Sequence, residues 1–302
     1  MIKICLVGTG GMVPLHNRYL SSLLISCEGS MILVDCGEGT QMSLKNIGWG
    51  LKAIDIICIS HFHGDHIFGL PGLLSTIENS GRTEPLTIIG PSYLERILNN
   101  LCTLVNISYN INIVEVPENS PLNFKYKNYT INSAWLEHHV PCLGFSFTLN
   151  RSPKFDKEKA LANKVPMKLW NVLQKSKEVI FENKLYTNTM VLGNERRGIK
   201  ISYCTDTRPT DNIVKLINNS NLFVCEGMYG DNDLLEKARS KKHMIFAEAA
   251  NLAKLGNVEE LWLTHYSPSL VSPEGYIDSA KAIFPNTTCG YDGLWKELSF
   301  NE

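Results

Sequence analysis

The chain carries Ser60-His61-Phe62-His63-Gly64-Asp65-His66 directly after the apolar run Ile54–Ile59. Four side chains that can hold a metal ion therefore lie within six residues, between a strand candidate and the helix-like stretch Ile67–Asn79. Imidazole nitrogens and carboxylate oxygens suit Zn²⁺ and similar divalent ions. His61 and His63 alternate, so an extended turn points them to one side. Asp65 and His66 open the helix and can face a second ion, and Gly64 lets the backbone bend between the two pairs. A chance group of surface histidines is a poor account of this cluster. Leu70, Leu73 and Leu74 follow it, and burying unpaired polar groups beside them is costly. A mononuclear zinc site is the better rival, but it uses only three or four ligands and this chain offers more.

Four further candidates each follow a strand-like run. Trp135–Glu137 leads into His138, Ile201–Thr205 into Asp206, Leu222–Cys225 into Glu226 and Leu261–Thr264 into His265. If those strands share an orientation, their ends converge on one rim. The expected allocation gives one ion to His61, His63 and His138, and the other to Asp65, His66 and His265. Asp206 would bridge them, across the ~3.5–4 Å typical of two-metal sites. Alternatives stay open at two positions. His139 could stand in for His138, and Asp206 could cap a helix over Thr210–Ile217, although Thr205 and Thr207 offer other caps. His16 and His139 read as ordinary residues.

With 302 residues, 44% of them hydrophobic, the chain can bury a full globular core. A formal net charge of -1 leaves a nucleic-acid partner undecided. The nine cysteines are scattered, mostly in apolar runs and never as CxxC, which suits buried free thiols in a reducing compartment. The N-terminus opens into a strand-like run with no signal-peptide stretch, and no run is long enough to span a bilayer. The expectation is a cytoplasmic protein. Strand candidates are Ile2–Val7, Ser22–Cys27, Met31–Asp35, Ile54–Ser60, Leu86–Gly90, Ile111–Val116, Tyr129–Glu137, Leu143–Leu149, Ile199–Thr205, Leu222–Glu226 and Glu260–Thr264. Helix candidates besides Ile67–Asn79 are Ser92–Leu104, Asp231–Arg239 and Ile245–Leu255, with Ser272 as an N-cap before Pro273. Hairpin-like neighbours outnumber βαβ units, so two sheets packed face to face under helices satisfy the pattern.

One segment, Arg151–Arg197, has weak strand signals and concentrated charge. Eleven basic and five acidic residues give it +6, which leaves -7 for the rest. On charge alone this is a solvated surface insertion; the sharper reading is a basic arm that grips a polyanion by releasing its counterions.

The chain resembles ribonuclease Z, the tRNA 3′-processing endonuclease family of the metallo-β-lactamase superfamily, nearly end to end. The residues that carry the resemblance are Val7-Gly8-Thr9-Gly10 with Pro14 and Arg18, then Leu33–Gln41, then Ser60–Leu74 with its family-typical continuation. Leu136–Phe145, Thr205–Arg208, Cys225-Glu226-Gly227, His243, Leu263-Thr264-His265 and Tyr291-Asp292-Gly293 follow in order. The bare HxHxDH pattern marks only the superfamily; the ordered set is far more specific. The resemblance implies an α+β fold, the metallo-β-lactamase αββα sandwich, as one domain over residues 1–302 and usually a homodimer. It also implies that 151–197 is an inserted, projecting arm that binds tRNA. Three departures concern the substrate rather than the cage. The arm reads Val165-Pro166-Met167 where many bacterial members have Gly-Pro. The N-terminal loop keeps Pro14 and Arg18 but loses a lysine and an asparagine. Ser269 stands where an arginine usually follows His265.

The expected reaction is attack of a metal-bridging hydroxide on a phosphodiester, supported by two divalent ions, Zn²⁺ first and Mn²⁺ as the alternative. Asp65 would take or orient the water's proton. His243, held by Glu226, resembles the family's general acid; without the resemblance it reads as a solvent-facing residue beside Lys241 and Lys242. The expected substrate is precursor tRNA, from which a 3′ trailer is removed. A small-molecule phosphodiesterase, acting for example on cyclic nucleotides, is the rival on the same cage. A nucleic-acid-binding protein with a structural metal is disfavoured, because such a site would be closed and mononuclear.

Overall fold

The structure, a computed structural model, describes residues 1–300. In chain order the strands are β1 (Ile2–Gly8), β2 (Ser22–Cys27), β3 (Ser30–Val34), β4 (Ile54–Cys58), β5 (Leu86–Pro91), β6 (Ile111–Val116), β7 (Asn123–Tyr126), β8 (Tyr129–Leu136), β9 (Cys142–Arg151), β10 (Glu178–Phe181), β11 (Lys184–Thr187), β12 (Arg196–Cys204), β13 (Leu222–Glu226), β14 (Leu261–Thr264), β15 (Thr287–Cys289) and β16 (Trp295–Leu298). They form one seven-stranded sheet in the order β16-β1-β2-β3-β4-β5-β6, a second in the order β15-β14-β13-β12-β9-β8-β7, and the separate hairpin β10-β11.

Strand alternation explains the layers. In the first sheet Cys5, Val7, Leu24, Leu33, Ile57 and Ile88 belong to a core shared with the helices α1 (Thr40–Asn46), α2 (Gly64–Ile67), α3 (Leu70–Asn79) and α4 (Leu94–Leu101). The intervening Ile4, Leu6, Leu23, Ile25, Ile32, Val34 and Ile56 are equally buried but lie outside that core, as residues on the opposite face must. That face meets the second sheet: the Tyr203 hydroxyl donates to Asp35 at 3.2 Å, and Leu143 N donates to Ser60 O at 2.9 Å. On its far side the second sheet packs Phe223, Cys225, Leu261 and Leu263 against Ile213, Phe246, Ala249, Ala250 and Ala280 of further helices. The result is the expected αββα layering.

β12, β13 and β14 run parallel, with Cys204 level with Cys225 and Glu226 with Thr264. Their C-terminal ends therefore reach one rim together. β3 through β6 are also parallel, so β3 and β4 end side by side.

Several boundaries differ from the sequence expectation for physical reasons. The helix expected over Ile67–Asn79 is two helices, α2 and α3. Pro71, near the start of α3, has no N–H to continue the first helix. The backbone between them bonds elsewhere: Cys36 N donates to His66 O and Gly69 N to Cys36 O. A Cβ on Gly69 would stand 2.0 Å from Gly37 O, so that junction needs glycine. Asp231–Arg239 resolves into a 3₁₀ turn, Asn232–Leu234, followed by α-helix Leu235–Lys241. Ser272 precedes Pro273 as expected but makes no side-chain cap bond.

By contact density the chain divides into two compact units: Met1–Thr148 with Ile199 onward, and Leu149–Gly198. The smaller unit contains the β10-β11 hairpin, in which Val179 pairs with Tyr186. It also has helix Lys157–Ala162, capped by Asp156. Ala160, Val165, Leu169, Leu173, Tyr186 and Val191 form its own small core. The segment is thus folded, with its lysines exposed around an apolar centre.

Candidate metal centre

Three strand ends shape the site. Asp35 after β3, Asp206 after β12 and His265 after β14 take left-handed φ values of 59°, 51° and 57°. Non-glycine residues rarely adopt this conformation, and its cost is tolerated mainly where a side chain must be re-aimed. Asp35 and His265 are completely buried, and Asp206 is nearly so.

Three donor groups result, each with its ligand-type atoms mutually close: His61, His63, His138 and Asp206; Asp65, His66 and His265; and, overlapping these, Asp206, His243 and His265. Asp206 links them. Its Oδ1 lies 3.9 Å from His61 Nε2 and 3.7 Å from His138 Nε2. Its Oδ2 lies 3.2 Å from His66 Nε2 and 3.1 Å from His265 Nε2. Asp65 Oδ2 is 3.4 Å from His66 Nε2 and 3.5 Å from His265 Nε2.

The outer hydrogen bonds orient these rings. Asp35 Oδ2 takes His66 Nδ1–H at 2.8 Å, and Asp35 also accepts from Ser60 N at 2.7 Å and Ser60 Oγ at 2.9 Å. Ser60 Oγ is then left to accept from His61 Nδ1–H at 3.0 Å. His138 Nδ1 faces Lys242 O at 3.3 Å. In His61 and His138 the outer nitrogen thus carries the proton, and the inward Nε2 presents its lone pair. In His66, Asp35 accepts the Nδ1–H and turns Nε2 inward; burial lowers this imidazole, but Asp206 and Asp35 outweigh it and push it up. Burial, the largest influence, pushes the His61, His63 and His138 imidazoles down, His138 to about 4. They are neutral at pH 7, the form that binds a metal. Burial raises Asp65 and Asp206, but His265 and His66 outweigh it and hold both carboxyls well below their usual range. Imidazole nitrogens around ionised carboxylates form a donor set that fits two divalent cations.

His243 and Glu226 stand beside this set. Glu226 Oε2 lies 3.1 Å from His243 Nδ1 and accepts from Met244 N at 3.0 Å, while Oε1 accepts from Thr207 N at 2.6 Å. Burial lowers the His243 imidazole, but Glu226 and, more weakly, Asp206 and Asp65 outweigh it and push it up to about 9. His243 therefore holds a proton at neutral pH, with Nε2–H turned away from Glu226.

All the residues singled out from the sequence for the site thus gather at one rim. The two open alternatives also separate: Thr210, not Asp206, occupies the cap position of helix Asp211–Ile217, and His138, not His139, faces His63, at 3.4 Å. Sequence reasoning assigned no role to Asp35 or Ser60, nor to Met12, whose N–H donates to Asp65 Oδ2 at 2.8 Å. Gly11 is also constrained, since a Cβ there would meet His265 Cε1 at 2.6 Å. The site opens into a cleft of about 520 Å³, lined further by His139, Tyr229, Lys237, Lys241 and Ser269.

Over its full length the chain is close to curated proteins. It is 52% identical to the ribonuclease Z of Clostridium acetobutylicum, with 99% of each chain covered. It is also 52% identical to that of Clostridioides difficile, with all of each chain covered. The chain belongs to the ribonuclease Z family. Residues 2–181 also match the family described as Anti-Pycsar protein Apyc1, which places more than half of the chain in that family too. Human tRNase Z, short form, superposes with a TM-score of 0.72 at 24% identity, covering 99% of this chain and 100% of its own. YhfI of Bacillus subtilis, a metallo-β-lactamase fold protein, superposes at 0.69 and 20% identity, with 98% of each chain covered. These two likenesses establish the metallo-β-lactamase fold. A member of the ribonuclease Z family is a hydrolase, and here its donor set sits at the rim of that fold. No helix among the described residues is long and apolar enough to cross a membrane.

Proposed function

We propose that this protein is an endoribonuclease that removes the 3′ trailer from precursor tRNA. The observation that carries the reading is two donor groups with Asp206 reaching both, Oδ1 to His138 at 3.7 Å and Oδ2 to His66 at 3.2 Å and His265 at 3.1 Å, beside the His243–Glu226 pair, in a chain of the ribonuclease Z family. His61, His63 and His138 would hold one divalent ion, Asp65, His66 and His265 the other, and Asp206 both. Bound there, two such ions, zinc first and manganese as the alternative, supply charge neutralisation at the phosphate and a nucleophilic water at neutral pH.

The chain's own residues do the rest. Asp65, ionised and fixed by Met12 N, orients the attacking water and takes up its proton. As the new P–O bond forms, the bond from phosphorus to the 3′-oxygen breaks, and His243 Nε2–H delivers the proton that this oxygen needs. Glu226 balances the charge of the imidazolium and fixes its tautomer. The tRNA leaves with a 3′-hydroxyl and the trailer with a 5′-phosphate.

The folded unit Leu149–Gly198 carries the basic excess of the chain and is proposed as the surface that binds the tRNA body by counterion release. A cytoplasmic homodimer is part of the proposal, supported by the family resemblance alone. A small-molecule phosphodiesterase is the second reading, favoured by a cleft of about 520 Å³, room enough for a nucleotide. One experiment separates the two. Residues 151–197 are replaced by a short Gly/Ser linker, and turnover is compared on 3′-extended precursor tRNA and on 3′,5′-cyclic AMP. Loss of precursor cleavage confined to the deletion supports the first reading. Fast cyclic AMP hydrolysis by both proteins, with intact precursor, favours the second.

A further inference from the structure

His243 lies on the short link between helix Leu235–Lys241 and helix Phe246–Leu255. Lys242, just before it, has a left-handed φ of 53° and closes the first helix: its N–H donates to Arg239 O at 3.2 Å, and the N–H of His243 donates to Ala238 O at 2.9 Å. The His243 carbonyl is gripped by a side chain from another part of the fold: Arg208 Nη1 donates to His243 O. The same guanidinium forms a two-pronged pair with Glu248, through Nη1 to Oε2 at 3.0 Å and through Nη2 to Oε1. Glu248 Oε2 also accepts from Ile245 N at 3.2 Å, at the start of the second helix. Arg208 itself is anchored at the rim, its N–H donating to Glu137 O at 3.1 Å, next to His138.

The two side chains are only 13% and 19% exposed. A bidentate pair so shielded has directional strength that a solvated surface pair lacks. One clamp therefore ties together the segment that bears Asp206, the strand end that bears His138 and the backbone of His243. We propose that Arg208 and Glu248 are positioning residues that hold His243 in register with Glu226 and with the leaving oxygen. The proposal rests on His243 acting as the general acid. Its physical basis is that a displacement on the order of 1 Å in a reacting group costs about 10²-fold in rate.

The test uses the metal-loaded enzyme and the variants Arg208→Lys and Glu248→Gln, which keep most of the packing. Bis(p-nitrophenyl) phosphate releases a phenolate that needs no proton, whereas precursor tRNA and cyclic AMP release an alkoxide that does. Each variant should lose about 10²-fold in kcat on whichever alkoxide substrate the wild type turns over. KM, metal content and the rate on the nitrophenyl diester should be unchanged. The low-field proton resonance of the His243–Glu226 hydrogen bond, identified by its loss in His243→Ala, should shift or broaden. Equal slowing of both substrate types, or an unmoved resonance with unchanged rates, overturns the proposal. If the wild type cleaves cyclic AMP but not precursor tRNA, the tRNA reading fails, while the clamp is still judged on cyclic AMP and on the resonance.

Discussion

Asp35 Oδ2 lies 2.8 Å from His66 Nδ1, and neither residue has any exposed surface. The contact places a carboxylate behind an inward-facing imidazole, an arrangement that fixes the tautomer and strengthens the ring as a ligand. The same carboxylate receives Ser60 and Tyr203, so it also couples the two sheets beneath the site.

Asp35→Asn should therefore weaken metal binding without removing any ligand. The expected loss is about 10–100-fold in affinity, read by competition with a chromogenic chelator. Folding should persist, because an amide can retain part of the hydrogen bonding. Unchanged affinity would mean that Asp35 serves the sheets and not the site.

His243→Ala and Glu226→Gln should slow precursor cleavage by about 10²–10⁴-fold, the range of general acid catalysis. Metal content, measured by elemental analysis, should stay at the wild-type level. Loss of metal in proportion to activity would make His243 a ligand instead of the acid.

Away from the site, Asp55 accepts from Arg82 at 3.1 Å, Lys127 at 2.8 Å and Ser30 at 2.5 Å, and the Arg82 side chain is 1% exposed. Burial raises the Asp55 carboxyl, but these donors outweigh it and hold it below its ordinary range. A group with a depressed folded pKa contributes stability above the unfolded value, about 3.9 for Asp, and that contribution fades as pH falls through the folded value. Asp55→Asn should thus cost about 2 kcal/mol at neutral pH, and its deficit against wild type should shrink at pH below about 3.9. Denaturant unfolding of both proteins at several pH values reads this directly; a deficit constant across that range would contradict it.

Much of the site was legible in the chain because the donors are chemically distinctive and each follows an apolar run. His138, Asp206, Glu226 and His265 all sit just past, or at the very end of, strands that the pattern located. What was not legible depends on contacts far apart in sequence. Asp35 supports His66 only because β3 and β4 run side by side, and Arg208 reaches Glu248 only because the chain returns to the same rim. The hairpin β10-β11 escaped notice because its strands have four residues each and bury little beyond Tyr186, too short a run for a period-2 signal. Pro71 marks the split between α2 and α3, but a proline in the first turn of a helix and one at a break look alike in sequence.

The most direct test of the account is cleavage of a 3′-extended precursor tRNA by the purified, metal-loaded protein, with the ends of the products mapped and Asp65→Ala run beside it. The account predicts a single cut at the base of the acceptor stem that leaves a 3′-hydroxyl on the tRNA and is absent in Asp65→Ala. An intact precursor, or a cut that survives in Asp65→Ala, would contradict it.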